Sequence, residues 1–127
     1  MCSDFTKEVD KDNIAVITWD CPNKSMNTMT EEGLKSFRQL VTDALSKEEI
    51  KGIVITSGKV DFSGGMDLST LEALKRNAGP EPASKIFEYI MEGHSLLRKI
   101  ELGKINDTSK SKPVAFAGSG ICAGIGT

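Results

Sequence analysis

Two glycine-rich stretches of this 127-residue chain carry the residue types best suited to chemistry. One is Phe62-Ser63-Gly64-Gly65-Met66-Asp67-Leu68; the other is Gly118-Ser119-Gly120-Ile121-Cys122-Ala123-Gly124-Ile125-Gly126. Each follows an apolar run with strand character, residues 52–56 before the first and residues 112–117 before the second. Adjacent glycines admit positive φ and let backbone approach a ligand that a side chain would keep away. A helix starting just after them presents free N–H groups and the positive end of its dipole. Strand, glycine turn and helix start together form an anion or oxyanion site, although an ordinary tight turn between strand and helix uses the same residues. Two such turns side by side would aim two N–H donors at one oxygen, which suits a thioester carbonyl turning into an enolate. Removing one donor of such a pair typically costs ~10²–10³ in rate.

Other chemistries find less support. Gly118, Gly120 and Gly124 form a loose dinucleotide fingerprint, but that motif needs a following helix and an acidic residue ~20 positions on. The given chain ends at Thr127 before either. No GxxxxGK[ST] occurs, which excludes a P-loop, and no GxSxG or Cys-His spacing supports a hydrolytic triad. The single histidine, His94, falls on an apolar helical stripe and reads as a packed core residue. With no ligand cluster around it, a metal site is not expected. Cys2, Cys21 and Cys122 lack CxxC spacing, so neither a disulfide framework nor a zinc site is indicated. A reducing, cytoplasmic compartment is expected.

The elements that must position the glycines can be read in order. Residues 5–9 alternate weakly as an edge strand, Asp10-Lys11-Asp12-Asn13 is a turn, and residues 14–19 (IAVITW) are a strong strand, giving an antiparallel hairpin. Residues 20–28, with Pro22 and two asparagines, are irregular. Thr28 or Thr30 caps a helix whose apolar stripe is Leu34, Phe37, Val41, Ala44 and Leu45. Residues 52–56 form a strand apolar enough to be buried on both faces, and strand–helix–strand argues for a crossover in an α/β layer. A short helix with Leu68, Leu71 and Leu74 stops at Asn77-Ala78-Gly79-Pro80. A longer helix spans residues 82–102, with Ile86, Phe87, Ile90, Met91, Leu97 and Ile100 inward. Residues 103–112 form a polar, exposed loop, and residues 112–117 begin another buried strand.

Composition is that of a soluble globular chain: 39% hydrophobic, 27% charged, net charge −2 with scattered basic residues. No nucleic-acid surface or membrane anchor is indicated, no apolar run approaches the ~20 residues of a span, and the N-terminus is too polar for a signal peptide.

With both turns in place, the chain resembles the N-terminal part of the crotonase (enoyl-CoA hydratase/isomerase) family. The carrying features, in order, are IAVITWDCPN, KSMNTMT before a helix, GIVITSGK, FSGGMDL and KPVAFAGSGICAGIG. TSGK and FSGGMDL look closest to the hydratase domain of multifunctional fatty-acid oxidation proteins. The resemblance implies an α/β fold, a crotonase-like (ClpP/crotonase) spiral of βαβ units, with residues 1–127 as the incomplete N-terminal portion of one domain. It implies acyl-CoA thioester substrates and no cofactor beyond the substrate's coenzyme A; the apolar surface that a half-domain exposes predicts a homo-oligomer. By match to the motifs, the backbone N–H groups of Met66 and Ile125 are the oxyanion donors, with Gly64 and Gly65 shaping the first turn. Lys24, Ser25 and Met26 fall where the family holds the CoA nucleotide, with Asp67 and Leu68 near the adenine. Lys24 would meet a phosphate or stand as a solvated surface lysine. Ile125 replaces a glycine of a usual Gly-Gly-Gly turn, placing a β-branched side chain where backbone normally passes tightly. The family's two catalytic glutamates lie beyond the second turn, so an inactive, truncated piece is expected, with a non-catalytic acyl-CoA-binding or self-assembling module as the alternative.

Overall fold

The computed structural model describes residues 3–77 and 79–127. Cys2, and Ala78 within the stop after the short helix, lie outside the described residues. β1 (Phe5–Val9) and β2 (Ile14–Trp19) form the expected antiparallel hairpin, Phe5 opposite Trp19 and Val9 opposite Ala15. The turn is held by Asp10, whose carboxylate accepts the N–H groups of Asp12 and Ile14 at 2.9 Å each. Asn13 supplies φ +63°, a conformation that asparagine tolerates and β-branched residues resist. β2 alternates cleanly: Ala15, Ile17 and Trp19 are buried and the residues between them only half-buried.

α1 (Glu31–Ser46) starts at Thr30, whose hydroxyl accepts the Gly33 N–H at 2.9 Å. Its buried set contains all five residues of the expected stripe. The stripe packs with the inward residues of β1, β2 and β3 (Gly52–Ser57) into one core, with Phe5 stacked between Trp19 and Phe37. β3 lies parallel to β2 and to β4 (Val114–Ala117), giving the order β1-β2-β3-β4 among the described residues.

Three expectations about burial need correction. β3 is not buried on both faces: Ile53 and Ile55 are buried, while Val54 and Thr56 are half-exposed, because α1 and its core occupy one side of the sheet. β4 is an edge strand with a neighbour on one side only, and Phe116 is 54% exposed. α2 (Leu68–Asn77) and α3 (Pro82–Leu102) have the expected extents, yet on α3 only Leu96 and Ile100 are buried. Phe87, Ile90, Met91 and Leu97 are exposed, as is His94, because α3 reaches the core mainly through Tyr89, Leu96 and Ile100 and the described elements leave the others uncovered.

Gly103 ends α3 at φ +63°, and a Cβ there would sit 1.9 Å from the Lys112 carbonyl oxygen. The Lys112 N–H donates back to the Gly103 carbonyl at 2.7 Å, closing loop 103–112 at its base. Gly103 is therefore buried, and exposure is confined mainly to the rest of the loop. The Lys112 ammonium reaches the carbonyls of Ala44 (3.0 Å), in the last turn of α1, and of Lys47, which also accepts the Ile50 N–H. Its burial lowers its pKa. No helix among the described residues is long and apolar enough to cross a membrane.

Candidate functional site

The first glycine turn hangs on one buried amide. Asn27 is fully buried; its carboxamide oxygen accepts the Cys21 N–H at 2.9 Å. Its Nδ2 donates to the Trp19 carbonyl and to Ser57 Oγ at 2.9 Å, and to the Phe62 carbonyl at 3.2 Å. The Asn27 carbonyl accepts the Gly64 N–H at 2.8 Å. One residue thus ties the end of β2, the end of β3 and the glycine turn together. The Gly65 carbonyl accepts from Met29 N, and Asp67 N donates to the Met29 carbonyl, both at 2.8 Å, so the turn's far side is also fixed. Gly65 has φ +97°, where side chains are strained. The buried Ser63 hydroxyl accepts its N–H at 2.9 Å.

The second turn lies directly on the first. Ser63 and Cys122 form a parallel bridge: the Ile121 carbonyl accepts from Ser63 N, and Ala123 N donates to the Ser63 carbonyl, both at 3.0 Å. Space is tight at the glycines. A Cβ on Gly124 would lie 3.2 Å from Gly65 Cα, and one on Gly126 only 2.4 Å from Ser63 Cβ. Ile125 sits between these two close approaches, 37% exposed. Its side chain therefore occupies the open side of the turn, and the tight passage falls on its neighbours. Residues Gly124–Gly126 form a short 3₁₀ turn. Neither the Met66 N–H nor the Ile125 N–H has a backbone or side-chain acceptor among the described residues.

Both residues line an apolar groove of about 650 Å³ running between the sheet and α3. Phe5, Trp19, Phe37 and Phe62 form its floor, while Tyr89, His94 and Glu101 come from α3. Among the described residues, Glu101 is the only carboxylate side chain in the lining, and it pairs with Arg98 at 2.6 Å. The Trp19 Nε1 and Tyr89 hydroxyl are buried without partners among the described residues.

The residues assigned to nucleotide binding gather beside the first turn. Lys24 Nζ donates to Asp67 Oδ2 and Thr28 Oγ1, each at 3.0 Å, so it is a partnered rather than a purely solvated lysine. Asp67 also accepts from the Ser69 hydroxyl and from the N–H groups of Ser69 (3.1 Å) and Thr70 (3.3 Å), capping α2. The Ser69 hydroxyl first, then Lys24, holds the Asp67 carboxyl well below the usual carboxylate range. Ser25 is exposed, Leu68 is 76% exposed, and Met26 lies over Gly64, where a Cβ would meet its Sδ at 2.6 Å. The supporting roles of Asn27, Ser63 and Asp61 were not legible in the chain. Short polar residues in an irregular stretch carry no local signal that they will be buried or shared between turns.

No family model matches the chain. In sequence it is similar to the fatty acid oxidation complex subunit alpha of Shewanella frigidimarina, 32% identical over 116 residues, covering 91% of this chain and 14% of that protein. The corresponding subunit of Idiomarina loihiensis is 30% identical over 123 residues, covering 96% and 16%. The chain thus spans about one-seventh of the length of these curated relatives. In structure it is similar to an enoyl-CoA hydratase from Shewanella pealeana, with TM-score 0.79, 14% identity, and coverage of 97% of this chain and 42% of that one. An enoyl-CoA hydratase from Mycobacterium avium subsp. paratuberculosis gives TM-score 0.68, 20% identity, and coverage of 99% and 40%.

Proposed function

We propose, for a chain that corresponds to the N-terminal part of a crotonase-like (enoyl-CoA hydratase/isomerase) domain, a site that holds acyl-CoA thioesters by their carbonyl oxygen. The observation that carries this reading is the pair of backbone donors. Met66 and Ile125 each present an N–H with no acceptor among the described residues, from turns in backbone contact, at the edge of an apolar groove. Such donors stabilise a developing oxyanion because they are fixed before the reaction and need not reorganise. The acyl chain lies along the groove, and the coenzyme A nucleotide runs over Lys24, Ser25, Met26, Asp67 and Leu68. No cofactor besides the substrate's own coenzyme A enters. A place in fatty-acid oxidation follows from what the alpha-subunit relatives are named for, and the free thiols of Cys21 and Cys122 suit the cytoplasm.

These 127 residues do not by themselves hydrate an enoyl-CoA. The step needs an acid and a base held together on one water, and among the described residues lining the groove Glu101 pairs with Arg98 while His94 has no carboxylate bonded to it. Titration with crotonyl-CoA, followed both by heat and by loss of enoyl absorbance, tests both points. Micromolar binding without turnover is the expected result. Absence of binding at millimolar ligand overturns the site, and measurable hydration overturns the missing proton transfer.

A second reading, a non-catalytic self-assembling module, is favoured by the exposed apolar residues of α3 together with Phe116. On this reading the groove is an association surface, and the protein is a homo-oligomer.

A further inference from the structure

Outside the Ser63–Cys122 bridge the second glycine turn is tied to residues 60–62 at three points: the Asp61 carboxylate, the Val60 carbonyl and the Phe62 N–H, which donates to the Ser119 carbonyl at 2.9 Å. Asp61 Oδ1 accepts the Ile121 N–H at 2.8 Å. The backbone around it is equally committed: the Asp61 carbonyl accepts from Ser57 Oγ at 2.9 Å, which in turn accepts from Asn27 Nδ2. Next to it, the Val60 carbonyl accepts from Ser119 Oγ at 2.9 Å. Gly120, at φ +61°, has no room for a side chain, since a Cβ would come within 2.3 Å of Asp61 Oδ1 and 2.9 Å of the Val60 carbonyl oxygen. Ile121 passes the constraint on through its carbonyl, which receives the N–H groups of Phe62 and Ser63 at 3.0 Å each. From there the chain reaches Gly124, stacked on Gly65, and then the Ile125 N–H.

From this geometry we infer that Asp61 is a positioning residue for the paired donors: its carboxylate sets the register of the second turn on the first, and so the distance between the Met66 and Ile125 N–H groups. The physical need is specific. The turns meet through one isolated bridge and a few neutral hydrogen bonds from Phe62 and Ser119 rather than a full strand ladder, so register depends on each of these contacts. A small displacement of either donor costs much of an oxyanion interaction, because hydrogen bonds weaken steeply away from their preferred distance and angle. A carboxylate accepting a backbone N–H is a charge-assisted bond and stronger than a neutral one. Asp61 takes the N–H of Ile121 while Phe62 and Ser63 donate to its carbonyl, so both backbone groups of Ile121 are fixed to residues 61–63.

The inference rests on the thioester reading above, and infrared spectroscopy separates the two. Crotonyl-CoA labelled with ¹³C at the thioester carbonyl is bound to the full chain, and the carbonyl stretch is compared with that of free crotonyl-CoA. In the native chain the stretch is expected to fall, as two donors polarise the bond. In Asp61→Ala the stretch is expected to return toward the free value, with about tenfold weaker crotonyl-CoA binding, the size of one lost charge-assisted bond. Affinity for coenzyme A without an acyl group is expected to hold. Asp61→Asn keeps an acceptor oxygen for Ile121 and is expected to restore most of the shift, which a generally weakened fold would not do. A native-like stretch in Asp61→Ala overturns the positioning role and leaves the thioester site standing. An unshifted stretch in the native chain overturns the site and the positioning role together. If Asp61→Ala does not fold, Asp61→Ser, whose shorter side chain falls short of the Ile121 N–H, is measured instead; a native-like stretch there is equally fatal.

Discussion

At the scale of single residues, Asn27 does the most with the fewest atoms. Its carboxamide meets one donor and three acceptors, all buried or half-buried, and its carbonyl holds Gly64. Asn27→Ala leaves the Cys21 N–H and the Phe62 carbonyl without that partner, while the Trp19 carbonyl keeps the Gly58 N–H. Each stranded buried group costs about 1–3 kcal/mol. A loss of about 3 kcal/mol in urea unfolding is expected, and a loss under 1 kcal/mol would show that water or a relaxed loop substitutes for the amide. Asp67 makes a second prediction. Its folded pKa is depressed by the Ser69 hydroxyl and by Lys24. Its stabilisation is therefore present above the unfolded carboxylate value of about 3.9 and is lost as pH falls through the lower folded value. Between neutrality and pH ~5, Asp67→Asn should lower stability by a constant amount. The difference should shrink only in stronger acid; a difference that vanishes by pH ~5 would contradict the bonds described. Nothing local announced Lys24 as the partner of Asp67, 43 residues away.

At the scale of elements, starts and stops follow local rules. Thr30 caps α1, Pro82 opens α3 in its first turn, and Gly103 closes it in the left-handed conformation. Gly103 also shows how a local rule becomes a tertiary one. Its missing Cβ makes room for the Lys112 carbonyl oxygen and fixes where β4 begins. Gly103→Ala combines a left-handed penalty of about 1–2 kcal/mol with a clash against backbone, which no rotamer change relieves. A loss of at least ~2 kcal/mol in thermal or urea unfolding is expected. Gly79→Ala, which meets nothing within 4 Å, is the control that carries the φ penalty without the clash. Equal losses in the two variants would refute the role of the Lys112 contact.

At the scale of the whole molecule, the chain buries one face of its sheet under α1, and the groove opens on that same side, lined by Leu34 and Phe37 of α1, by Trp19 and Ile55 of the sheet and by α3. Phe87, Ile90, Met91 and Leu97 stand 46–62% exposed along α3, and contiguous apolar surface of this kind drives association. Light scattering is expected to give a mass above the 13.7 kDa of one chain. Phe87→Glu combined with Ile90→Glu should shift it toward one chain while changing the unfolding midpoint little, since neither side chain is buried. A monodisperse species of single-chain mass before any substitution would remove the self-assembling reading.

The hairpin, the α1 stripe, the helix extents and the two glycine turns were decided by the sequence alone. They depend on alternation, helical spacing, capping residues and glycine conformations, all set within a few neighbours. The family resemblance was legible for the same reason, since it rests on short motifs in a fixed order. Burial of β4 and of the α3 stripe was not, because an apolar face is buried only if another element covers it, and the sequence of one element does not contain its neighbour. The site itself divides in the same way. The glycines could be picked out as turns with free N–H groups, but only the tertiary structure set Cys122 against Ser63, stacked Gly124 on Gly65 and brought the Asp61 carboxylate to Ile121. Those contacts join segments far apart in the chain, and no local preference encodes them.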